Sequence, residues 1–178
     1  LNKNFSILSP ISGDKNYGTK IKKPVINKDF FEVDFVKGFA MLVNKKKIIN
    51  IGMFDKKIFL YLEEIDLCKR LKQVNEKIYV SKFSKVSHLA AKSSNIGFEY
   101  EKCRNWHWMW SKVYFQKKFS NNLFVYLKFI PILIFQLFKI LFYQIAFNQN
   151  KKTICILRFS GTYSSLIGQK SWYRPKKL

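Results

Sequence analysis

Two adjacent carboxylates, Glu63 and Glu64, lie where an aromatic and apolar run gives way to a helix-like pattern. His88 follows at the end of the next strand-like stretch. A carboxylate in such a position can accept a proton from a hydroxyl group, and a nearby histidine can bind a divalent metal. The three residues are therefore candidates for an active site that handles a nucleotide and a metal. A capped helix beside a core strand would give the same pattern, so spacing alone leaves both interpretations open.

Hydrophobic spacing predicts the elements that position these side chains. Apolar residues recur at helical spacing over 63–74, and Asp66 and Arg70 lie one turn apart on this helix, where they can form an ion pair. Alternating apolar and polar residues predict a strand over 77–88. In the rest of the first half we predict a buried strand over 4–11, a loop over 15–29 and a strand with a bend over 30–43. An exposed turn is predicted over 45–47 and a short helical turn over 48–52.

The composition limits the classes of partner. The chain has 178 residues, suited to one compact domain, and 33 Lys and Arg against 11 Asp and Glu give a formal net charge of +22. A surface this basic attracts anions such as nucleotide phosphates and anionic lipids. Lysines greatly outnumber arginines and no zinc, RNP or helix-turn-helix signature is present, so we expect no nucleic-acid partner. Three cysteines without a CxxC pair, and no signal-peptide pattern at the start, favour a cytosolic location.

The second half is predicted to be helical, with one helix over 100–119 and the longest apolar run over 123–147. That run is long enough to span a bilayer, for which about 20 residues suffice. Lys128, Gln136 and Lys139 give it a polar edge, however, and a lysine at the bilayer centre costs roughly 2.5 to 3.5 kcal/mol. We therefore predict an in-plane amphipathic helix on an anionic membrane surface, with a transmembrane span and a core helix as alternatives.

Trp106 and Trp110 lie on the helix that precedes the apolar run. Tryptophan is common both at membrane interfaces and in protein cores. Both interpretations are open, and we assign these two side chains, together with Lys128 and Lys139, to membrane association.

Four blocks of the sequence resemble the C-terminal half of the inverting family 2 glycosyltransferases, especially the rhamnosyltransferase-like members. The second block is the most specific, because its Gly-x-Phe-Asp start and its Tyr-x-Glu-Glu-x-Asp-Leu-Cys-x-Arg end fix many positions at once. The blocks are 36–43, 51–70, 86–88 with Ser93 and Ser94, and 100–105.

The resemblance implies an α/β fold with a partial GT-A-type sheet and flanking helices over 1–95, followed by a helical, membrane-associating extension over 96–178. It implies a nucleotide-diphosphate sugar as donor, a polysaccharide or lipid-linked acceptor, and Mg²⁺ or Mn²⁺ as cofactor. Glu64 stands where the family has its catalytic base, although the family residue is aspartate, and Glu63 is the alternative base. Because the carboxylate lies at a helix N-terminus, its pKa is expected to be lowered. The resemblance also gives roles to other residues: metal binding to His88, and substrate binding to Gly38, Asp55, Asp66 and Arg70.

The Asp-x-Asp motif of the family's N-terminal half is absent from the chain. The expectation is therefore a fragment or truncated copy of an inverting glycosyltransferase of cell-surface glycan synthesis, with an N-terminal half missing. We expect it in the cytoplasm, peripheral at the inner face of the plasma membrane. The alternative is a basic membrane-associated protein without enzymatic activity.

Overall fold

A computed structural model describes residues 4–12, 21–24, 29–87 and 97–174 of this mixed α/β chain. The chain divides into two compact units. The first comprises 1–55 with 63–94, and the second comprises 56–62 with 95–178. The family identity of each unit, as expected from the sequence, stays a prediction.

The first unit contains a small mixed sheet with two helices. Its strands run in the order β2-β3-β5-β1-β4, with β1 and β5 parallel and the other neighbouring pairs antiparallel. The strands are β1 (Ile7–Ser12), β2 (Ile21–Pro24), β3 (Phe30–Val33), β4 (Leu42–Val43) and β5 (Ile78–Val86), and the helices are α1 (Lys45–Asn50) and α2 (Glu63–Gln73).

Helix α2 lies on this sheet through the apolar residues that its sequence spacing predicted. Leu67, Cys68 and Leu71 are fully buried against strand residues such as Ile7 and Ile78. The helix ends in a Schellman motif at Asn75 (φ 59°), in which the amide of Glu76 donates to the carbonyl of Leu71 at 3.0 Å. β5 starts only a few residues later in the chain.

The second unit consists of α3 (Gly97–Phe119), α4 (Asn122–Ile145) and α5 (Gln149–Leu166), together with the segment 56–62. Helices α3 and α5 approach closely, since a Cβ atom placed on Gly161 would lie 2.4 Å from the backbone oxygen of Trp106. Only glycine permits this spacing, and the small residue lets the two backbones pack together.

Segment 56–62 is held on α3. Ser111 donates its hydroxyl to the carbonyl of Leu60 at 2.7 Å, and Arg104 donates to the Tyr61 hydroxyl. These contacts hold a strained backbone, because Tyr61 and Leu62 both adopt left-handed conformations with φ 69° and 68°. Each such residue costs roughly 1–2 kcal/mol when it carries a side chain. The strain occurs immediately before α2 begins in the chain.

The structure confirms the predicted helices and strands around α2, β5, α3 and α4, and it corrects two other assignments. Residues 21–24 form strand β2 where a loop was predicted. The helix α1 begins at Lys45, within the predicted exposed turn, because Asn44 caps it by accepting from the Lys47 amide. Helix α5 lies in the extension predicted to be helical, although its own bounds were not predicted.

Candidate functional site

The two candidate carboxylates both lie in the first turn of α2 and are half-buried. The amide of Gly38, in the segment between β3 and β4, donates a hydrogen bond to the Glu64 carboxylate. Ser9 of β1 fixes this segment, because its hydroxyl donates to the carbonyl of Ala40 at 3.0 Å. The sheet and α2 therefore bring Glu64 and Gly38 together. The resemblance gives both of these residues a role in the site.

The pKa of Glu64 is raised above its ordinary value. Burial is the largest cause, and the neighbouring charge of Glu63 adds to it. The amides of Glu64 itself and of Gly38, and the ammonium of Lys37, act in the opposite direction without cancelling the increase. The sequence alone had suggested that the helix N-terminus would lower this pKa. That expectation is wrong, because burial outweighs the helix terminus.

Glu63 contributes a second feature to the site. Its Oε2 atom is buried and has no hydrogen-bond partner among the residues that the structure describes. A buried carboxylate oxygen without a partner can accept a hydrogen bond from a ligand hydroxyl. The site thus combines Glu64, a carboxylate with raised basicity, with Glu63, a carboxylate whose Oε2 atom can still accept a hydrogen bond.

Asp66 and Arg70 form the predicted ion pair, with Arg70 Nε 2.8 Å from Asp66 Oδ2. Asp66 is fully buried. The guanidinium also donates to the carbonyls of Ile51 and Met53 at 2.6 and 2.5 Å, which closes the C-terminal end of α1. The two side chains thus join α2 to the end of α1, and the substrate-binding roles expected for them stay predictions.

Two further residues expected to bind substrate have different positions. Gly38 is exposed, and a Cβ atom placed on it would lie 3.6 Å from Cβ and Cγ of Glu64. Asp55 lies half-buried in the segment after α1 and is engaged in interactions with other residues. Gly38 thus leaves one side of the Glu64 carboxyl group open, and substrate binding at Asp55 stays a prediction.

The residue to which the resemblance gives metal binding cannot be placed. His88 lies outside the described residues. Among the residues that are described, no group of three or more His, Cys, Asp or Glu side chains could hold a metal ion. Metal binding by His88 and the Mg²⁺ or Mn²⁺ cofactor therefore stay predictions, and the chemistry of the two acids is derived without a metal.

A stretch of 90 residues of this chain has a counterpart in a known enzyme. The chain is similar to a rhamnosyltransferase. It is 36% identical over 90 residues to the rhamnosyltransferase WbbL of Escherichia coli (strain K12), which is 50% of this chain and 33% of the relative. The similarity is partial and distant, and it supports a relationship to glycosyltransferases in general. The chain spans about a third of the length of that relative.

No protein-family model matches the chain, and no solved structure matches it. The membership of family 2 and the GT-A fold, both implied by the sequence blocks, therefore stay predictions.

The two tryptophans assigned to membrane association are core residues. Trp106 is 0% exposed and Trp110 is 2% exposed, and their rings stack at 6.5 Å between centroids. Four residues apart on a helix, they share one face, whereas Trp108 lies opposite and is 38% exposed. The membrane-association assignment of Trp106 and Trp110 is wrong, and the core-packing alternative is correct.

The Arg-Asn pair at 104–105, for which the sequence indicated no chemistry, has a structural role. Arg104 binds the Tyr61 hydroxyl, and its guanidinium lies 5.9 Å from the centre of the Tyr61 ring. Asn105 accepts a hydrogen bond from Arg158 of α5 at 2.8 Å. The pair therefore joins α3 to segment 56–62 and to α5.

Helix α4 carries the largest exposed apolar surface among the described residues. It is 24 residues long and apolar enough to cross a membrane by length and composition, yet only 17% of its most apolar stretch is buried. Six of its apolar side chains are each more than 60% exposed: Leu123, Leu127, Phe138, Leu141, Phe142 and Ile145. The opposite face packs on α3 and α5 through Val125 and Phe129.

The two lysines of α4 lie at the border between these faces. The ammonium of Lys128 lies 5.7 Å from the Phe124 ring centre, and that of Lys139 lies 4.5 Å from the Phe135 ring centre. Lysines that border an apolar face extend their charge toward lipid head groups. Their membrane-associating role stays a prediction, and the geometry is compatible with it.

Proposed function

We propose that this chain supplies the acceptor-activating carboxylate of an inverting family 2 glycosyltransferase of GT-A type. The reaction is sugar transfer from a nucleotide-diphosphate sugar to a polysaccharide or lipid-linked acceptor in the synthesis of bacterial cell-surface glycans. The observation that supports this proposal most is the environment of Glu64, whose pKa is raised beside the exposed Gly38. The partial similarity to a rhamnosyltransferase favours the same class of reaction.

Glu64 acts as the general base. Its carboxylate takes the proton of an acceptor hydroxyl while that oxygen attacks the anomeric carbon from the face opposite the leaving group. The new glycosidic bond forms as the bond to the diphosphate oxygen breaks, so the configuration inverts and the nucleoside diphosphate leaves with the bonding electrons. A carboxylate with a raised pKa is a stronger base than an ordinary glutamate.

Glu63 assists by position and charge. Its partnerless Oε2 atom can accept a hydrogen bond from the acceptor, and its charge raises the basicity of Glu64. The additional methylene of Glu64, relative to the aspartate of the family, moves the base outward from the helix. In this proposal the Gly38 amide fixes that longer side chain.

We place the protein at the cytoplasmic face of the membrane, as a peripheral protein. The second unit carries sixteen Lys and Arg residues and only two carboxylate side chains, Glu99 and Glu101. Such a unit is attracted to anionic lipids, and α4 offers an apolar face to insert among them. Mg²⁺ or Mn²⁺ belongs to the proposal only as part of the site for the nucleotide-diphosphate sugar, most of which is expected in the missing N-terminal half.

Transfer assays on the full polypeptide test the role of Glu64. The chain, joined to an N-terminal half that carries an Asp-x-Asp motif, and its Glu64→Gln and Glu63→Gln variants are incubated with a nucleotide-diphosphate rhamnose, a mixed acceptor preparation and both divalent ions. Because loss of a general base costs about 10²–10⁴-fold, Glu64→Gln is expected to lower transfer by at least 100-fold. Glu63→Gln should have a smaller effect. Glu101→Gln removes an exposed carboxylate of α3 and should leave transfer unchanged. Wild-type turnover in Glu64→Gln would refute the proposal.

A further inference from the structure

A large pocket lies within the second unit, and neither Glu63 nor Glu64 is among the residues that line it. It has a volume of about 850 Å³ and is lined by segment 56–62, α3, the C-terminal end of α5 and the residues that follow it. Phe59, Trp110 and Tyr114 contribute aromatic surface to its lining. The six cationic residues that line it are Lys56, Lys57, Lys117, Lys118, Lys170 and Arg174.

The charge of this lining has one sign, because no carboxylate is among the residues that form the pocket. Clefts lined by charge of one sign concentrate the field and attract counter-ions. A combination of several cations with aromatic and apolar surface suits a ligand that has an anionic group and an apolar part.

The walls of the pocket are fixed by hydrogen bonds. Lys117 donates to the carbonyl of Leu166 at 3.0 Å, and the Trp110 indole donates to the carbonyl of Gln169 at 3.0 Å. The buried His107 binds the carbonyl of Tyr173 through Nε2 at 2.8 Å. Since a carbonyl can only accept, Nε2 carries the proton, and Nδ1 accepts from the Ser171 hydroxyl at 3.2 Å. Hydrogen bonds therefore hold the segment that follows α5 in place as one wall of the pocket.

The pocket adjoins the exposed apolar face of α4. The carbonyl of Leu166 receives hydrogen bonds from Lys117 of the pocket and from the Tyr126 hydroxyl of α4, the latter at 3.5 Å. Beside this point Leu127 is 67% exposed, and Trp172, after the end of α5, is 55% exposed. A half-exposed indole is typical of residues at a membrane–water interface.

We propose that this pocket binds the phosphate head group of an anionic membrane lipid, with the acyl chains of that lipid along the apolar face of α4. The charge of the lining matches the phosphate, and the adjacent apolar face accounts for the chains. Binding of a free phosphate would require only the cations of the pocket and would leave the adjacent apolar face without a role. The proposal deepens the membrane location given above and is independent of the chemistry of Glu64.

Vesicle binding tests the proposal with matched charge changes. The double variant Lys56→Gln/Lys170→Gln removes two exposed cations from the pocket. Lys151→Gln/Lys152→Gln removes the same charge from the first turn of α5, at the opposite end of that helix. Binding is measured on phosphatidylcholine vesicles with and without phosphatidylglycerol, at fixed salt. Because each basic residue near an anionic surface contributes about 1 kcal/mol, we expect roughly a 30-fold loss for the pocket variant and a much smaller loss for the control.

Three further measurements separate a lipid site from a site for a soluble anion and from a general charge effect. Inorganic phosphate and glycerol phosphate should compete poorly with the vesicles, and Leu127→Ser should weaken vesicle binding. Glu64→Gln should bind vesicles like the wild type, so a failure of the catalytic proposal would leave this result unaffected. Equal losses in the two lysine variants would show that only net charge matters and would overturn the site. Full competition by inorganic phosphate would assign the pocket to a soluble anion instead.

Discussion

The amide of Gly38 donates a hydrogen bond to the carboxylate of Glu64, and yet the pKa of that carboxylate stays above its ordinary value. A hydrogen bond to the charged form would by itself lower the pKa. Orientation and basicity therefore have different causes. The Gly38 amide orients the Glu64 carboxylate, whereas burial and the adjacent Glu63 charge raise its basicity. Orientation and raised basicity together are what a general base requires.

Gly38→Ala should reduce transfer without unfolding the protein. The added methyl group would make ordinary van der Waals contact with Glu64, at 3.6 Å from its Cβ and Cγ, and would cover the open side of the carboxyl group. We expect kcat/KM to fall roughly tenfold, because small displacements of reacting groups are costly, with thermal unfolding unchanged. Gly52→Ala is the contrasting control, since φ is 85° there. It should lower stability and leave kcat/KM per folded molecule unchanged.

Glu64→Gln should stabilise the fold at neutral pH. The folded protein holds the proton of Glu64 more tightly than the unfolded chain does, because the folded pKa is raised. The free energy of unfolding of the wild type therefore falls as pH rises from the ordinary glutamate pKa through the raised value. The amide does not ionise, so the variant avoids that loss. Urea unfolding should show the stability gain at neutral pH and its disappearance below the ordinary glutamate pKa. A constant difference across pH would contradict this explanation.

Asp66→Asn should destabilise the first unit strongly. The substitution removes the charge that the buried Asp66 provides to Arg70, and the guanidinium keeps only its carbonyl partners. Breaking a buried pair costs about 3 kcal/mol, which urea unfolding can measure. Glu99→Gln breaks the more exposed pair with Lys102 on α3 and should cost less than about 1 kcal/mol. Equal effects of the two variants would remove the structural role assigned to Asp66.

Phe147→Gly separates stability in solution from membrane binding. Phe147 joins α4 to α5 with a left-handed backbone (φ 52°), and its side chain is 86% exposed. Glycine relieves a strain of roughly 1–2 kcal/mol, so thermal stability in solution should rise. The lost aromatic ring should weaken binding to anionic vesicles. Unchanged vesicle binding would indicate that this end of α4 does not contact lipid.

The sequence predicted much of the first unit, because a few strong local signals define it. The spacing of Leu67 and Leu71 and the Asp66–Arg70 pair fixed α2, and alternation fixed β5. Strand β2 was missed because Ile21–Pro24 is a lysine-rich edge strand held by backbone pairing with β3. Backbone pairing of this kind leaves little pattern in the side chains.

The candidate site was harder to predict, because its properties depend on tertiary contacts. The position of Glu64 at the start of α2 could be predicted, but burial beside the Gly38 segment reversed the expected direction of its pKa shift. The roles of Arg70 and of Trp106 depended in the same way on partners distant in sequence. The bounds of α5 were not predicted because Gly161 and its serine and threonine neighbours have low helix propensity, which packing against α3 overrides.

The most direct measurement is the titration of the Glu64 carboxyl carbon by NMR, alongside the pH dependence of kcat/KM for transfer. Glu64 should titrate above the ordinary glutamate value of about 4.3, and the acid limb of kcat/KM should follow the same pKa. Glu64→Asp should shift both curves together. A Glu64 that titrates at or below the ordinary value, with an acid limb that the aspartate variant leaves in place, would contradict its role as the general base.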